Sequence, residues 1–195
     1  MKIELNYINV NYIRVKRLNT DTIETIPLES YIVGVLAGEM PIDFDLEALK
    51  AQAVASRSYA LKRIEYNKDK DYDVVDSILN QVYLDEDYLK SAWGSNYVKN
   101  INKLRTAVNA TLDEYLSYQD NVVDALFFST SNGFTEDSNL IFNFDCAYLK
   151  SVDSPWDKDV SSAYLTTKII SLKEFYQKLN LPYNKNLNIE VLKRS

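Results

Sequence analysis

The sequence predicts an α+β fold, a single domain in which central alanine-rich helices pack beside a small, mostly antiparallel sheet. Three observations carry that expectation. Residues 7 to 26 alternate apolar and polar, the period-two pattern of strands, through Tyr7, Ile8, Val10, Tyr12, Ile13 and Val15 to Ile23 and Ile26. Two helix-patterned segments follow, 28–37 and 46–61, the second packed with alanines. The 195 residues are 46% hydrophobic, carry only four glycines and four prolines, and show no internal repeat, low-complexity tract or linker, so 1–195 reads as one domain with a real core.

The elements follow in chain order. Asn19-Thr20-Asp21 breaks the alternating stretch and makes it a hairpin. Pro27 fits the first turn of the next helix. That helix stops at about Gly38, because Pro41 has no N–H and restricts Met40 to extended backbone. Asp43 or Asp45 then caps a second helix from about Leu46 to Tyr66, whose small side chains permit close packing and a central place. On it Lys50, Val54, Arg57, Leu61 and Ile64 form one stripe, and its two cations either snorkel to water or face a polar cleft.

Asn67 to Asp76 reads as a polar loop, and Gln81-Val82-Tyr83 as a short strand or turn. Tyr88 to about Leu116 is helical, with a break around Gly94-Ser95. A turn at 117–121 leads into an apolar strand, Val122 to Phe128, and the sheet is expected to contain the strands near Val10 and Ala125. Ser129-Thr130-Ser131-Asn132-Gly133 is a hydroxyl-rich turn that either donates to a sugar or anion or satisfies its own backbone. Ser154-Pro155-Trp156-Asp157 is another turn, Ser171 to Leu179 a capped helix, and Leu187 to Val191 strand-like.

Composition excludes several chemistries. A formal charge of −6 and a pI near 4.8, with no segregated basic patch, argue against nucleic acid as a partner. There is no histidine and one cysteine, which removes Ser-His-Asp and Cys-His catalysis and leaves only carboxylates for metal ligation; no metal and no cofactor is expected. The single Cys146, beside Phe144, Ala147 and Tyr148, reads as a buried small apolar residue. No apolar stretch approaches the roughly 18 residues of a membrane span, and Met1 to Leu5 lacks a signal-peptide pattern. Fifteen tyrosines suit carbohydrate, and suit cores and interfaces equally.

One motif points to chemistry. Gly38-Glu39-Met40-Pro41 holds a carboxyl in a sharp turn at the negative end of a helix macrodipole. That placement disfavours the anion and so suits the protonated carboxyl of a general acid. An exposed turn residue without a role has the same local sequence. If Glu39 acts with a second carboxylate, Asp43 and Asp45 are near in sequence.

Five ordered blocks over residues 27–157 resemble the SpoIID/LytB family. They are Leu28 to Val35 running into Gly38-Glu39-Met40-Pro41, then Leu46 to Ala60, Gln81-Val82-Tyr83, Phe128 to Glu136, and Tyr148 to Asp157. The resemblance implies a lytic transglycosylase that cuts peptide-free glycan strands of cell-wall peptidoglycan, with the engulfment step of sporulation as its best-known setting. It implies Glu39 as the catalytic acid. It also implies a groove lined by Lys50, Gln52, Arg57, Tyr59, Gln81, Tyr83, Ser129, Ser131 and Asn132. The implied partners are peptidoglycan glycan strands and other cell-wall hydrolases such as an amidase, and the implied location is the cell envelope. A non-catalytic enhancer of a cell-wall amidase is the alternative role. The chain departs from the family pattern in three places. Asn80 stands where some relatives carry a metal-binding cysteine, and Phe128 where a histidine is frequent. The Gly- and His-containing C-terminal segment is absent, so the chain is expected to cover the first part of the family domain.

Overall fold

The computed structural model describes residues 10–142 and 144–190, which form two compact units, one reaching to Phe128 and one beginning at Ser129. The first unit opens with β1 (Tyr12–Arg17) and β2 (Thr22–Pro27), an antiparallel hairpin in which Ile13 faces Ile26 and Val15 faces Glu24. Alternation does what the pattern requires: Ile13 and Val15 are fully buried, while Tyr12 is exposed. Residues 7 to 9 of the expected hairpin lie outside the described residues.

The partner of the hairpin differs from the expected one. A short strand, β3 (Val74–Val75), joins β1 in parallel, Val15 opposite Val74, and gives the order β2-β1-β3. It lies at the end of the segment that composition marks as a loop. Polar side chains mask this strand: Asp73 accepts from the Arg14 amide (2.7 Å) and from its guanidinium (2.5 Å), so the acidic residue fixes the register.

Helix α1 (Leu28–Glu39) starts directly after β2 and ends where proline dictates, with Met40 extended at φ −125° and ψ 133°. Helix α2 (Leu46–Tyr66) has Asp45 at its N-cap position, without a side-chain hydrogen bond to the helix. Asp85 caps α3 (Glu86–Trp93) by accepting from the Tyr88 amide at 2.8 Å. A 3-10 turn over Gly94–Asn96 then breaks the long helical stretch before α4 (Tyr97–Ala110), with Gly94 in the left-handed region at φ 50°. Helices α1, α2 and α4 pack on one another, and Tyr31, Leu36, Leu49, Ala53 and Leu104 close the core against Ile13 and Val15.

The apolar run from Val122 to Phe128 does not form a strand beside β1. Only Asn121–Val122 (β5) pairs, with Ser117–Tyr118 (β4), across a turn whose central residues Gln119 and Asp120 both have positive φ. Two contacts stop the strand there. Asp124 is ion-paired to Arg63 of α2, and the Leu126 amide turns back onto the Asp124 carbonyl at 2.9 Å. Ala125 is buried by this bend and belongs to no sheet.

The second unit holds one ribbon, β6 (Gly133–Phe134) against β7 (Asp153–Ser154), and short helices α5 (Ser138–Phe142), α6 (Asp157–Val160) and α7 (Leu172–Lys178). Ser171 caps α7 by accepting from the Glu174 amide, as the sequence indicates. Residues 187–190 carry no strand, having no partner to pair with among the described residues, and Val191 lies outside them. Cys146 is half-buried, not enclosed. Among the described residues no helix is long and apolar enough to cross a membrane.

Candidate functional site

Glu39 is the last residue of α1 and is half-buried. The extended segment 80–84 crosses α1 beside it, and the Val82 amide donates to Glu39 Oε1 at 2.7 Å. Farther along, the Leu84 amide donates to the Gly34 carbonyl at 3.2 Å. One carboxyl oxygen is thus committed as an acceptor. Among the described residues, Oε2 has no hydrogen-bond partner.

Around this carboxyl the first unit gathers several of the residues expected in the groove. Gln81, 1% exposed, accepts from the Tyr31 hydroxyl at 3.2 Å and donates to the Ser56 carbonyl at 3.4 Å. Tyr83 stacks on Tyr31, ring centroids 5.3 Å apart, and the Arg17 guanidinium lies 5.1 Å from the Tyr83 ring centroid. Gln52 donates to Ser56 Oγ at 3.1 Å. Burial first, then neighbouring Tyr59 and Glu39, hold the Tyr31 phenol well above its ordinary pKa, so it stays a donor to Gln81. Burial likewise raises Tyr83, with Arg17 opposing.

Other expected residues are held by partners other than Glu39. Lys50 pairs with Glu47 one turn away at 2.7 Å. Arg57 is 1% exposed and neither snorkels nor faces a cleft: it clamps Glu29 with Nε and Nη2 at 2.9 and 2.6 Å and donates to the Glu114 carbonyl at 2.9 Å. Its carboxylate partner is therefore Glu29, not Glu39. Tyr59 is buried and its hydroxyl accepts from Asn80 Nδ2 at 3.0 Å. Asn80 also accepts the Val75 amide through Oδ1, so the position where some relatives carry a cysteine is a hydrogen-bonded bridge from β3 to α2. Both ends of the Asn80 amide are thus engaged, and it offers no thiolate or imidazole of the kind zinc takes. Asp43 and Asp45 are both exposed.

In the second unit Ser131 is buried and satisfies its own loop: its amide donates to Asp157 Oδ2 at 2.6 Å and its hydroxyl to the Ser154 carbonyl at 2.8 Å. Hydrogen bonding from Ser131, its amide first, holds the Asp157 carboxyl below its usual range. Ser129 and Asn132 are exposed, and Asn132 lines an open groove with Phe134, Thr135 and Leu140.

Sequence reasoning assigned no part to the Val82 main chain, to Tyr31 or to Glu29. Backbone donors leave no signature in residue type. The paired glycines of α1, four apart, were the available sign that another backbone passes close.

The family model described as Stage II sporulation protein, SpoIID, matches residues 16–118. The chain belongs to the SpoIID family. Two curated relatives named Stage II sporulation protein D are similar to it over most of its length. That of Bacillus amyloliquefaciens is 43% identical over 171 residues, 86% of this chain and 49% of the relative. That of Bacillus subtilis (strain 168) is 42% identical over 173 residues, 87% of this chain and 50% of the relative. A protein named Amidase enhancer, also from Bacillus subtilis (strain 168), is 34% identical over 145 residues, 71% of this chain and 18% of that protein. The SpoIID chain described here spans about half the length of the sporulation relatives it matches.

Proposed function

We propose that this SpoIID-family chain acts on the bacterial cell wall, as a lytic transglycosylase that cleaves peptide-free peptidoglycan strands at the cell envelope with Glu39 as general acid and base. The supporting observation is the half-buried Glu39 carboxyl held by one oxygen on the Val82 amide, with the other oxygen left to carry a proton. In the first half of the reaction Glu39 Oε2–H protonates the glycosidic oxygen as the C1–O bond breaks. The resulting carboxylate then takes the proton from the sugar's own primary hydroxyl. That oxygen closes onto C1, giving an anhydro-muramyl end and restoring the acid without water.

The other expected residues divide by exposure in this reading. In the first unit Lys50, Gln52 and Tyr83 are accessible enough to meet sugar hydroxyls, N-acetyl groups or a ring face, and in the second unit, taken by itself, Ser129 and Asn132 are exposed. Arg57, Tyr59, Gln81 and Ser131, all buried, act by fixing the elements that carry them.

Peptide-free strands incubated with the protein should yield anhydro-muramyl ends by mass spectrometry, and Glu39→Gln should remove them while binding persists. Free reducing ends would instead mark hydrolysis, with Asp43 or Asp45 as the second carboxylate. A second reading, a glycan-binding enhancer of a cell-wall amidase, is favoured by the 34% identity to the protein named Amidase enhancer. Equal binding and no product from wild type and Glu39→Gln would select it.

A further inference from the structure

Helix α1 carries two glycines, Gly34 and Gly38, four residues apart and so on one face. Both are filled by the same segment. A Cβ on Gly38 would stand 2.6 Å from the Val82 carbonyl oxygen and 2.9 Å from Val82 Cγ1, and one on Gly34 would stand 2.6 Å from the Leu84 carbonyl oxygen and collide with the Tyr83 ring. No real side chain fits at such distances without moving backbone. Neither glycine has positive φ, so conformational freedom is not what these positions use. What they supply is depth.

We infer that Gly34 and Gly38 form a lane on α1 into which residues 82–84 sink, and that this lane makes Gly38 a positioning residue for Glu39. It rests on the reading of Glu39 as the acid. The chain of cause is short. Gly38 sets how close the Val82 carbonyl and side chain approach α1, and the amide of that same residue donates to Glu39 Oε1. Gln81 and Tyr83, on either side of Val82, lock the segment along the lane through Tyr31 and the Ser56 carbonyl. With Oε1 held as acceptor, the transferable proton is confined to Oε2. The lane therefore decides which oxygen faces the leaving group, and Gly38 does so without touching substrate.

The test is Gly38→Ala, read in two ways. In isotopically labelled protein, a scalar coupling across the hydrogen bond from Val82 nitrogen to Glu39 Cδ is expected in the wild type and absent in the variant. On peptide-free glycan, kcat should fall about a hundredfold, the scale of an ångström-level displacement of a catalytic group, while any rise in KM reports Tyr83 moving with the displaced segment. A second variant adds no volume: the Val82 amide replaced by a backbone ester, which deletes only the donor and should reproduce the loss in kcat. Retention of the coupling in Gly38→Ala, or an undiminished kcat in the ester variant, overturns the inference. Loss of the coupling in the variant of a protein whose wild type cleaves no glycan would leave the lane's hold on Glu39 standing and sink the assignment of Glu39 as the acid.

Discussion

Removing the Arg57 guanidinium is expected to cost the first unit much of its stability, although the family resemblance implies this residue in the groove. Arg57 is closed off from solvent, grips Glu29 with two nitrogens, and supplies donors to the Glu114 and Val108 carbonyls. Truncation to Met keeps most of the volume but strands the Glu29 carboxylate and removes a donor from the Glu114 carbonyl, while the Val108 carbonyl keeps the Thr111 amide and hydroxyl. Breaking a buried ion pair from one side costs roughly 3–5 kcal/mol. The Glu29 side chain retains 30% exposure and can be partly rehydrated, which places Arg57→Met near the lower end, at about 3 kcal/mol. Each unit has one tryptophan, Trp93 and Trp156. In a Trp156→Phe background, fluorescence of Trp93, which packs against the core, follows the first unit alone. With a urea m-value of about 2 kcal/mol/M, the midpoint should fall by about 1.5 M. Glu29→Met added to Arg57→Met should restore part of the loss, since no uncompensated charge then remains. A drop below about 1 kcal/mol, or no recovery in the double variant, would refute the reasoning and return Arg57 to the glycan.

Two other outcomes follow from the charged contacts. Asp85 is held below the usual carboxylate range by the Tyr88 amide that it caps and by Arg17, so its contribution is present above the unfolded value of about 4 and is lost as pH falls through the lower folded value. Asp85→Asn should therefore narrow the gap in melting temperature to wild type as pH drops below about 4, and an unchanged gap from pH 7 to 3 would contradict it. In the second unit, Asp157→Asn should weaken the acceptor for the Ser131 amide and speed hydrogen exchange at that amide, leaving exchange in α7 unaltered.

The hairpin, both long helices and the break at Gly94 were legible because each rests on a local cause: alternation, a proline, an alanine-rich helical run, a glycine in the left-handed region. Glu39 was legible for the same reason, since Pro41 fixes where α1 ends. What escaped depends on contacts distant in sequence. β3 looks like a loop until Arg14 meets Asp73, and the apolar run after Val122 looks like a strand until Arg63 bends it at Asp124. Arg57 shows the limit of periodicity, which puts a cation on a face but does not say that a carboxylate 28 residues earlier waits there.

The parallel pairing of β1 with β3 joins residues 59 apart in the chain. The α1–α2 pair can form from neighbouring segments, whereas this pairing must close a long loop first, at an entropic cost that local contacts do not carry. The stretch bearing Val82 leaves directly from β3. A nascent or partly folded chain would thus carry Glu39 on a finished helix before residues 80–84 are in place to hold its carboxyl oxygen.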